Sequence, residues 1–223
     1  FDTPPPTAQI VNYGQLNIAG GAPAFLIASD IQNHGTITAP GGKIGLYAGQ
    51  TVLVSTSPDG RGISAEVTLP AGSLDNEGRL IADGSSISLQ AKVVNQGNLI
   101  QANSVRDVNG IIELVASDTM NLDKNSTISA QGDSQGVSQG GSVVIKSGNS
   151  FSDQTGSSIN IAGGVQGGNG GQVEISAPQM SEINSTVNGT AATGFAGGTL
   201  TIDPANIWLA SAATDPSAPS GYS

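Results

Sequence analysis

Two short patterns recur along most of the chain, and this repetition constrains the fold more than any other feature of the sequence. The first pattern is a turn that leads into a strand, N-x-G-x-[IL], and it occurs as NYGQL at 12–16, NHGTI at 33–37, NEGRL at 76–80 and NQGNL at 95–99. The second is a glycine turn followed by alternating apolar residues, as in GGKIGLYA at 41–48 and GGQVEISA at 170–177. Because alternation with a period of two is typical of strands that bury one face, the repeats predict an all-β fold.

The interval between repeats indicates the size of the structural unit. Successive asparagines of the first pattern lie about 20 residues apart, and one interval that is about twice as long is interpreted as two turns. A weaker third strand signal lies between the two patterns, for example QTVLV at 50–54 and TMNL at 119–122. Three short strands in each turn of roughly 19–30 residues predict a parallel β-helix of triangular cross-section.

Stacking of coils buries side chains that one coil alone would leave exposed. Strands of neighbouring coils lie about 4.8 Å apart, so equivalent apolar residues pack directly on one another. The side chains expected to point inward are Ile37, Ile44, Leu46, Val52, Leu80, Ile87, Leu89, Leu99, Ile112, Leu114, Val143, Ile145, Val173 and Ile175.

The asparagines of the first pattern occupy equivalent corners in this scheme. Their side-chain amides can bond to the backbone of neighbouring coils, and asparagine tolerates the left-handed conformations that tight corners need. We therefore predict a structural ladder formed by Asn12, Asn33, Asn76 and Asn95.

Segments outside the repeat set the predicted domain boundaries. Residues 1–9 are a Pro-rich lead-in, residues 10–209 form a single β-helix domain, and residues 210–223 form a linker of Ser, Ala and Pro. The stretch near 61–76 breaks the repeat, so it is predicted to be an inserted strand pair or irregular loop, with Pro70 at a turn.

Composition argues against several classes of partner and site. The net charge of −10 repels the phosphate backbone, so nucleic acid is not an expected partner. The chain has no cysteine, so neither disulfides nor thiolate metal sites can hold the fold. It contains no apolar run of about 18 residues, the length of a membrane-spanning helix. The first residues lack the pattern of a signal peptide, and we expect any export signal to lie upstream of this fragment.

The sequence does not predict an enzyme, a metal site or a cofactor site. Polysaccharide-active enzymes built on parallel β-helices need carboxylates clustered on one outer face, whereas the acidic residues here are scattered. His34 lies in a turn at a position that other residue types fill in the other repeats, which favours an exposed corner. Trp208 is the one candidate contact residue, because alternation with Ile207 and Leu209 predicts that it points outward.

Alternating N-x-G-x-[IL]-x-A and GG-x-[VI]-x-[IL]-x-A segments over residues 10–209 resemble the filamentous haemagglutinin family, the secreted partners of two-partner secretion systems. Two runs carry the likeness most specifically, GISAEVTLPAGSLDNEGRLIADGSSISLQA at 62–91 and GGTLTIDPANIWL at 197–209. Both are similar to segments found downstream of the family's secretion domain. The family's Asn-Pro-Asn motifs do not occur in the sequence, so we expect the fragment to begin after them.

The resemblance implies a right-handed parallel β-helix, a secreted or cell-surface localisation, an outer-membrane pore protein as secretion partner, and a role in adhesion or cell contact. We expect a non-enzymatic structural and adhesive segment of a large bacterial exoprotein that acts as a rigid rod. A glycan-binding module in its own right is the alternative, and a polysaccharide-active enzyme ranks last. Because an open β-helix end is an unpaired edge, end-to-end self-association is a further expectation.

Overall fold

The chain forms strands and turns throughout the residues that the computed structural model describes, which are 8–56, 63–180 and 182–205. The predicted lead-in and linker fall largely outside these residues and stay predictions. The strands are β1 (Gln9–Asn12), β2 (Gln15–Asn17), β3 (Ala24–Ala28), β4 (Asp30–Asn33), β5 (Thr36–Thr38), β6 (Ile44–Thr56), β7 (Ile63–Pro70), β8 (Ser73–Asn76), β9 (Arg79–Ile81), β10 (Ser86–Gln96), β11 (Leu99–Gln101), β12 (Ile111–Leu122), β13 (Thr127–Ser129), β14 (Ser142–Ser147), β15 (Ser150–Asp153), β16 (Ser158–Asn160), β17 (Gln172–Ala177), β18 (Gln179–Met180), β19 (Thr186–Asn188) and β20 (Thr199–Pro204).

The strands stack into three parallel faces, and a typical coil contributes one short strand to each face. Face 1 holds β3, β14, β17, β20 and the first parts of β6, β10 and β12. Face 2 holds β1, β4, β8, β15, β18 and the second parts of β10 and β12. Face 3 holds β2, β5, β9, β11, β13, β16 and β19. These pairings confirm the predicted parallel β-helix with three short strands per coil.

The long interval in the repeat is a single coil that carries a hairpin. Asn33 pairs directly with Asn76, which lies 43 residues further along the chain. The prediction of two turns in this interval was wrong, because β6 runs past the corner and β7 returns antiparallel to it, with Thr56 opposite Ile63. QTVLV at 50–54 therefore belongs to the hairpin, and β8 is the face 2 strand of that coil. A strand pair is inserted as predicted, but it consists of β6 and β7, whereas residues 73–76 of the predicted stretch form β8 in the regular stack.

Apolar side chains from the three faces fill one continuous core. Leu46, Leu89 and Leu114 occupy the same position of face 1 on successive coils, and all three are fully buried. Burial of one such side chain contributes about 1.5–3 kcal/mol relative to its exposure in water. Because each coil covers the apolar surface of the next, stability comes from the stack and not from a single coil.

The predicted inward side chains lie in this core with two exceptions, Val52 and Leu99, for which the prediction was wrong. Val52 is buried, but it lies in the hairpin and packs outside the core of the coils. Leu99 is half-buried, and Ile100 takes its place in the core through its pairing with Leu80. The turn has the same length in both coils, from Asn76 to Leu80 and from Gln96 to Ile100. The letters NQGNL therefore match the repeat pattern one residue out of register.

A second, smaller apolar cluster lies beneath the hairpin on the outer side of face 1. Tyr47 packs there with Val52, Val67 and Phe25, and the rings of Tyr47 and Phe25 meet edge to face with centroids 5.7 Å apart. Burial raises the pKa of Tyr47 to about 12, an effect to which the charge of Glu113 adds and which a hydrogen bond with Ser88 opposes. The hairpin is thus packed against the helix and does not project freely.

Candidate functional site

Side-chain amides at the corner between face 2 and face 3 form a buried row of hydrogen bonds. Asn12 Nδ2 donates to Asn33 Oδ1 at 2.8 Å, and Asn33 Nδ2 donates to Asn76 Oδ1 at 2.7 Å. Asn76 Nδ2 in turn donates to Gln96 Oε1 at 2.8 Å. Asn33, Asn76 and Gln96 are 0% exposed. Because a buried amide without a partner is destabilising, this row holds the four coils that contain Asn12, Asn33, Asn76 and Gln96 in register with one another.

Asn95 lies in an outer row on face 2 and not in the buried row where the ladder prediction placed it. Its position in the buried row is taken by Gln96, for the same register reason that exchanges Leu99 and Ile100. Asn95 Nδ2 donates to Asp75 Oδ1 at 2.6 Å, and Asn121 Nδ2 donates to Asn95 Oδ1 at 2.8 Å. The outer row is half-buried and reaches solvent.

The buried row changes character beyond Gln96, where Leu122 and then Asp153 occupy the equivalent positions. Asp153 is 6% exposed. Its carboxylate accepts the backbone N–H of Asn184 at 3.0 Å and that of Ser185 at 2.7 Å. Asp153 therefore satisfies two donors in the turn of the next coil, which is a structural role.

An aromatic and charged corner lies on the outer side of the turns that carry the buried row. The rings of Tyr13 and His34 are stacked with centroids 4.7 Å apart, and His34 Nδ1 lies 3.0 Å from Glu77 Oε2. His34 was expected at an exposed corner, but its side chain is only 26% exposed. The ring of Tyr13 and the carboxylate of Glu77, which belong to neighbouring coils, flank it. The three residues link successive coils through their side chains.

A groove at the corner between face 3 and face 1 is the feature that sequence reasoning missed. Two loops of adjacent coils, 102–110 and 130–141, form it, and it encloses about 270 Å³. A signal was present in the repeat interval, which is 20 residues at Asn76–Gln96 and reaches 31 residues at Asn121–Ser152. We call this feature the corner groove, and its lining residues are Arg106, Asp107, Asn109, Val137, Ser138 and Gln139.

The scattered acidic residues of the sequence do not converge on a metal site in the described structure. Within residues 8–56, 63–180 and 182–205, no group of three or more His, Asp or Glu side chains is placed to hold a metal ion. Trp208 lies outside the described residues and stays a prediction. The part of the chain that is described also contains no helix long and apolar enough to cross a membrane.

The fold defines the chain as a three-faced parallel β-helix with a hairpin packed on one face and polar rows along its strands. A similar structure is that of the HMW1 secretion domain from Haemophilus influenzae, with a TM-score of 0.58 and 23% sequence identity. The match covers 87% of this chain and 66% of that chain, which is slightly less than two thirds of its length. Comparisons with protein-family profiles and with curated proteins found no match. The resemblance inferred from the sequence is thus confirmed at the level of the fold.

Proposed function

We propose that this chain is a segment of a secreted bacterial surface exoprotein and that it acts as a rigid, non-enzymatic rod in adhesion or cell contact. The observation that carries the proposal is the likeness of its β-helix to a secretion domain. The main apolar core runs without a break from Ala28 to Met180, which supports a continuous rod in place of separate domains.

The rigidity of the rod follows from the way the coils are joined. Parallel strands pair along all three faces, and side-chain rows add further bonds at the corner and on face 2. Bending one coil against the next would break bonds on at least one face, and each bond contributes about 0.5–1.5 kcal/mol. Such a stack is suited to hold the parts of a longer protein at a fixed distance.

The proposed export partner is an outer-membrane pore protein. Contacts between coils join residues 18 to 43 positions apart, so the chain can fold coil by coil as it emerges from a pore. The sequence has no cysteine, so no disulfide has to be reduced before the chain passes through.

Secretion with and without a pore protein tests the export step. The chain, preceded by an export signal, would be expressed in a bacterial host that carries or lacks a pore protein of the two-partner type. We expect accumulation in the medium only in the host with the pore. Retention in both hosts, or release from both, contradicts the proposal.

A matched pair of variants tests whether coil stacking supports release. Ile145→Asp places a charge in the core, whereas Val144→Asp places it on the outer side of the same strand. We expect the first variant to reduce the amount of folded protein in the medium and the second to leave it unchanged. Equal release of both variants would contradict folding by stacking.

Binding of the folded chain to whole bacterial and animal cells tests the adhesive step. Saturable binding supports it, and the lack of binding to any cell contradicts it. A glycan-binding module in its own right is the second candidate, which the corner groove favours. If the chain turned over a polysaccharide, and if substitution of a single carboxylate abolished that turnover, the result would instead support the hypothesis of an enzyme.

We also propose that copies of the chain stack end to end. An open β-helix end is an unpaired strand edge, and in the last described coil Leu200 and Ile202 pair with the buried Val173 and Ile175. Stacking of a second copy would cover this apolar row, so Leu200→Lys should weaken association in analytical ultracentrifugation. Sedimentation of the unmodified chain that does not change with concentration would contradict the proposal.

A further inference from the structure

Four polar side chains of the corner groove have no partner in the described part of the protein. Arg106, Asp107, Asn109 and Gln139 are exposed, and their side chains make no hydrogen bond or ion pair within residues 8–56, 63–180 and 182–205. Amides in the outer row of face 2, by contrast, bond to one another. The groove therefore presents a guanidinium, a carboxylate and two amides around one small volume.

The backbone of the loop that carries Arg106 is held in an unusual conformation. Arg106 has a φ of 54° and is the one non-glycine residue with a positive φ among the described residues. Such a conformation persists where the surroundings determine it. Val105 and Val108 exchange backbone hydrogen bonds at 2.9 and 3.1 Å, and the Arg106 N–H donates to Asp133 Oδ2 at 3.4 Å. The turn is thus ordered before a ligand binds, which lowers the entropic cost of binding.

The groove combines groups that suit a sugar. Amides and carboxylates hydrogen-bond to hydroxyl groups, and a guanidinium donates to hydroxyl oxygens. Val137 is 62% exposed beside these polar groups and offers an apolar contact for the C–H face of a pyranose ring. The volume of about 270 Å³ lies just below the roughly 300–1,000 Å³ of typical ligand pockets, which suits a single ring.

The charges around the groove favour a neutral sugar over an acidic one. Asp107 lines the groove and Asp133 lies against the backbone of Arg106, so two carboxylates offset one guanidinium. The net charge of −10 on the chain acts in the same direction. We propose that the corner groove binds one neutral hexose unit of a glycan, a proposal that rests on the adhesive function proposed above.

Titration of the chain with glucose, galactose and mannose, followed by two-dimensional NMR, tests the site. We expect at least one of these hexoses to bind in the millimolar range, with shifts concentrated in loops 102–110 and 130–141. Arg106→Gly removes the guanidinium while glycine accepts the positive φ, so this variant should stay folded. We expect Arg106→Gly and Asp107→Ala to weaken binding about tenfold. Gln166→Ala, in the exposed loop of the next coil, is the matched control and should leave binding unchanged.

Three results would overturn the proposal: no shifts with any hexose, tighter binding of glucuronate than of the neutral hexoses, or hexose binding that Arg106→Gly leaves unchanged. Secretion and attachment to cells are measured on the same proteins. If the unmodified chain binds no hexose but still attaches to cells, only the proposal for the groove is refuted. If the unmodified chain is neither secreted nor attached to cells, the proposed function is refuted.

Discussion

Truncation of Gln96 to alanine should destabilise the chain more than truncation of its neighbour Asn95. Gln96 is fully buried, its Oε1 accepts Asn76 Nδ2 at 2.8 Å, and its Nε2 donates to the carbonyl of Asn98 at 2.6 Å. In Gln96→Ala the Asn76 amide loses its acceptor inside the corner, and an unmet buried donor costs about 1–3 kcal/mol. With the lost packing of the side chain, we expect the free energy of unfolding to fall by about 2–4 kcal/mol.

Asn95→Ala is the matched control, because it removes an amide of similar size one residue away. Asn95 is half-buried, and its partners Asp75 and Asn121 lie where water can replace it. We expect a loss of about 0.5–1.5 kcal/mol. Gln96→Met keeps most of the side-chain volume but removes both amide bonds, so it should be nearly as destabilising as Gln96→Ala.

Urea unfolding followed by circular dichroism measures these differences. Because a stack of coils can unfold in parts, hydrogen exchange of the amides around Asn76 is needed to show that the loss is local. Equal losses for the two alanine variants, or a larger loss for Asn95→Ala, would refute the placement of Gln96 in the buried row.

Three further predictions test the hairpin, the core and the buried carboxylate. Burial raises the pKa of Tyr47 to about 12 from 10.0, so its stabilising contribution is complete below pH 10 and is lost as the pH rises through 12. The free energy of urea unfolding should fall by about 2–3 kcal/mol between about pH 9 and pH 12 in the unmodified chain and should not fall in this way in Tyr47→Phe. Identical pH profiles of the two proteins would contradict this prediction. Leu114→Ala should lower the free energy of unfolding in urea by about 2–5 kcal/mol, whereas Val115→Ala, at a half-buried position, should lower it by less than about 1 kcal/mol. Equal losses in the two variants would argue against a packed core. Asp153→Ala should accelerate hydrogen exchange at the two backbone amides that its carboxylate accepts, and unchanged exchange would contradict that role.

The direction in which each strand side chain points could be predicted from the sequence, because alternation is a local property. Ile87 and Leu89 alternate with polar residues, and both are buried. Register between coils is a long-range property, and a turn motif alone does not determine it. A second pattern carries that information: an inward residue on face 3 is followed two positions later by a buried alanine, as in Ile37 and Ala39, Leu80 and Ala82, and Ile128 and Ala130. The segment Ile100–Gln101–Ala102 has the same form and would have placed Ile100 in the core.

The hairpin and the corner groove were harder to predict for different reasons. The hairpin strand β7 shows the same alternation as a coil strand, so its antiparallel return is distinguishable only once Asn33 is paired with Asn76. The groove depends on two loops that share no sequence pattern and become neighbours only through the stack. The left-handed conformation of Arg106 could not be predicted from its residue type, because such positions usually carry glycine or asparagine.

Some of the described coils have short corners and others have long ones, and under the proposed function this division separates stiffness from recognition. Asn76 and Gln96 lie 20 residues apart and belong to the buried amide row. Beyond Gln96 the intervals lengthen to 26 and 31 residues, and additional residues enter the loops between face 3 and face 1. The face strands keep the same pairing throughout, so the long loops can vary without disturbing the core. Under the proposed function, a change in these loops would alter the ligand and leave the stacked coils unchanged, which makes the corner groove a better candidate for ligand specificity than the buried row.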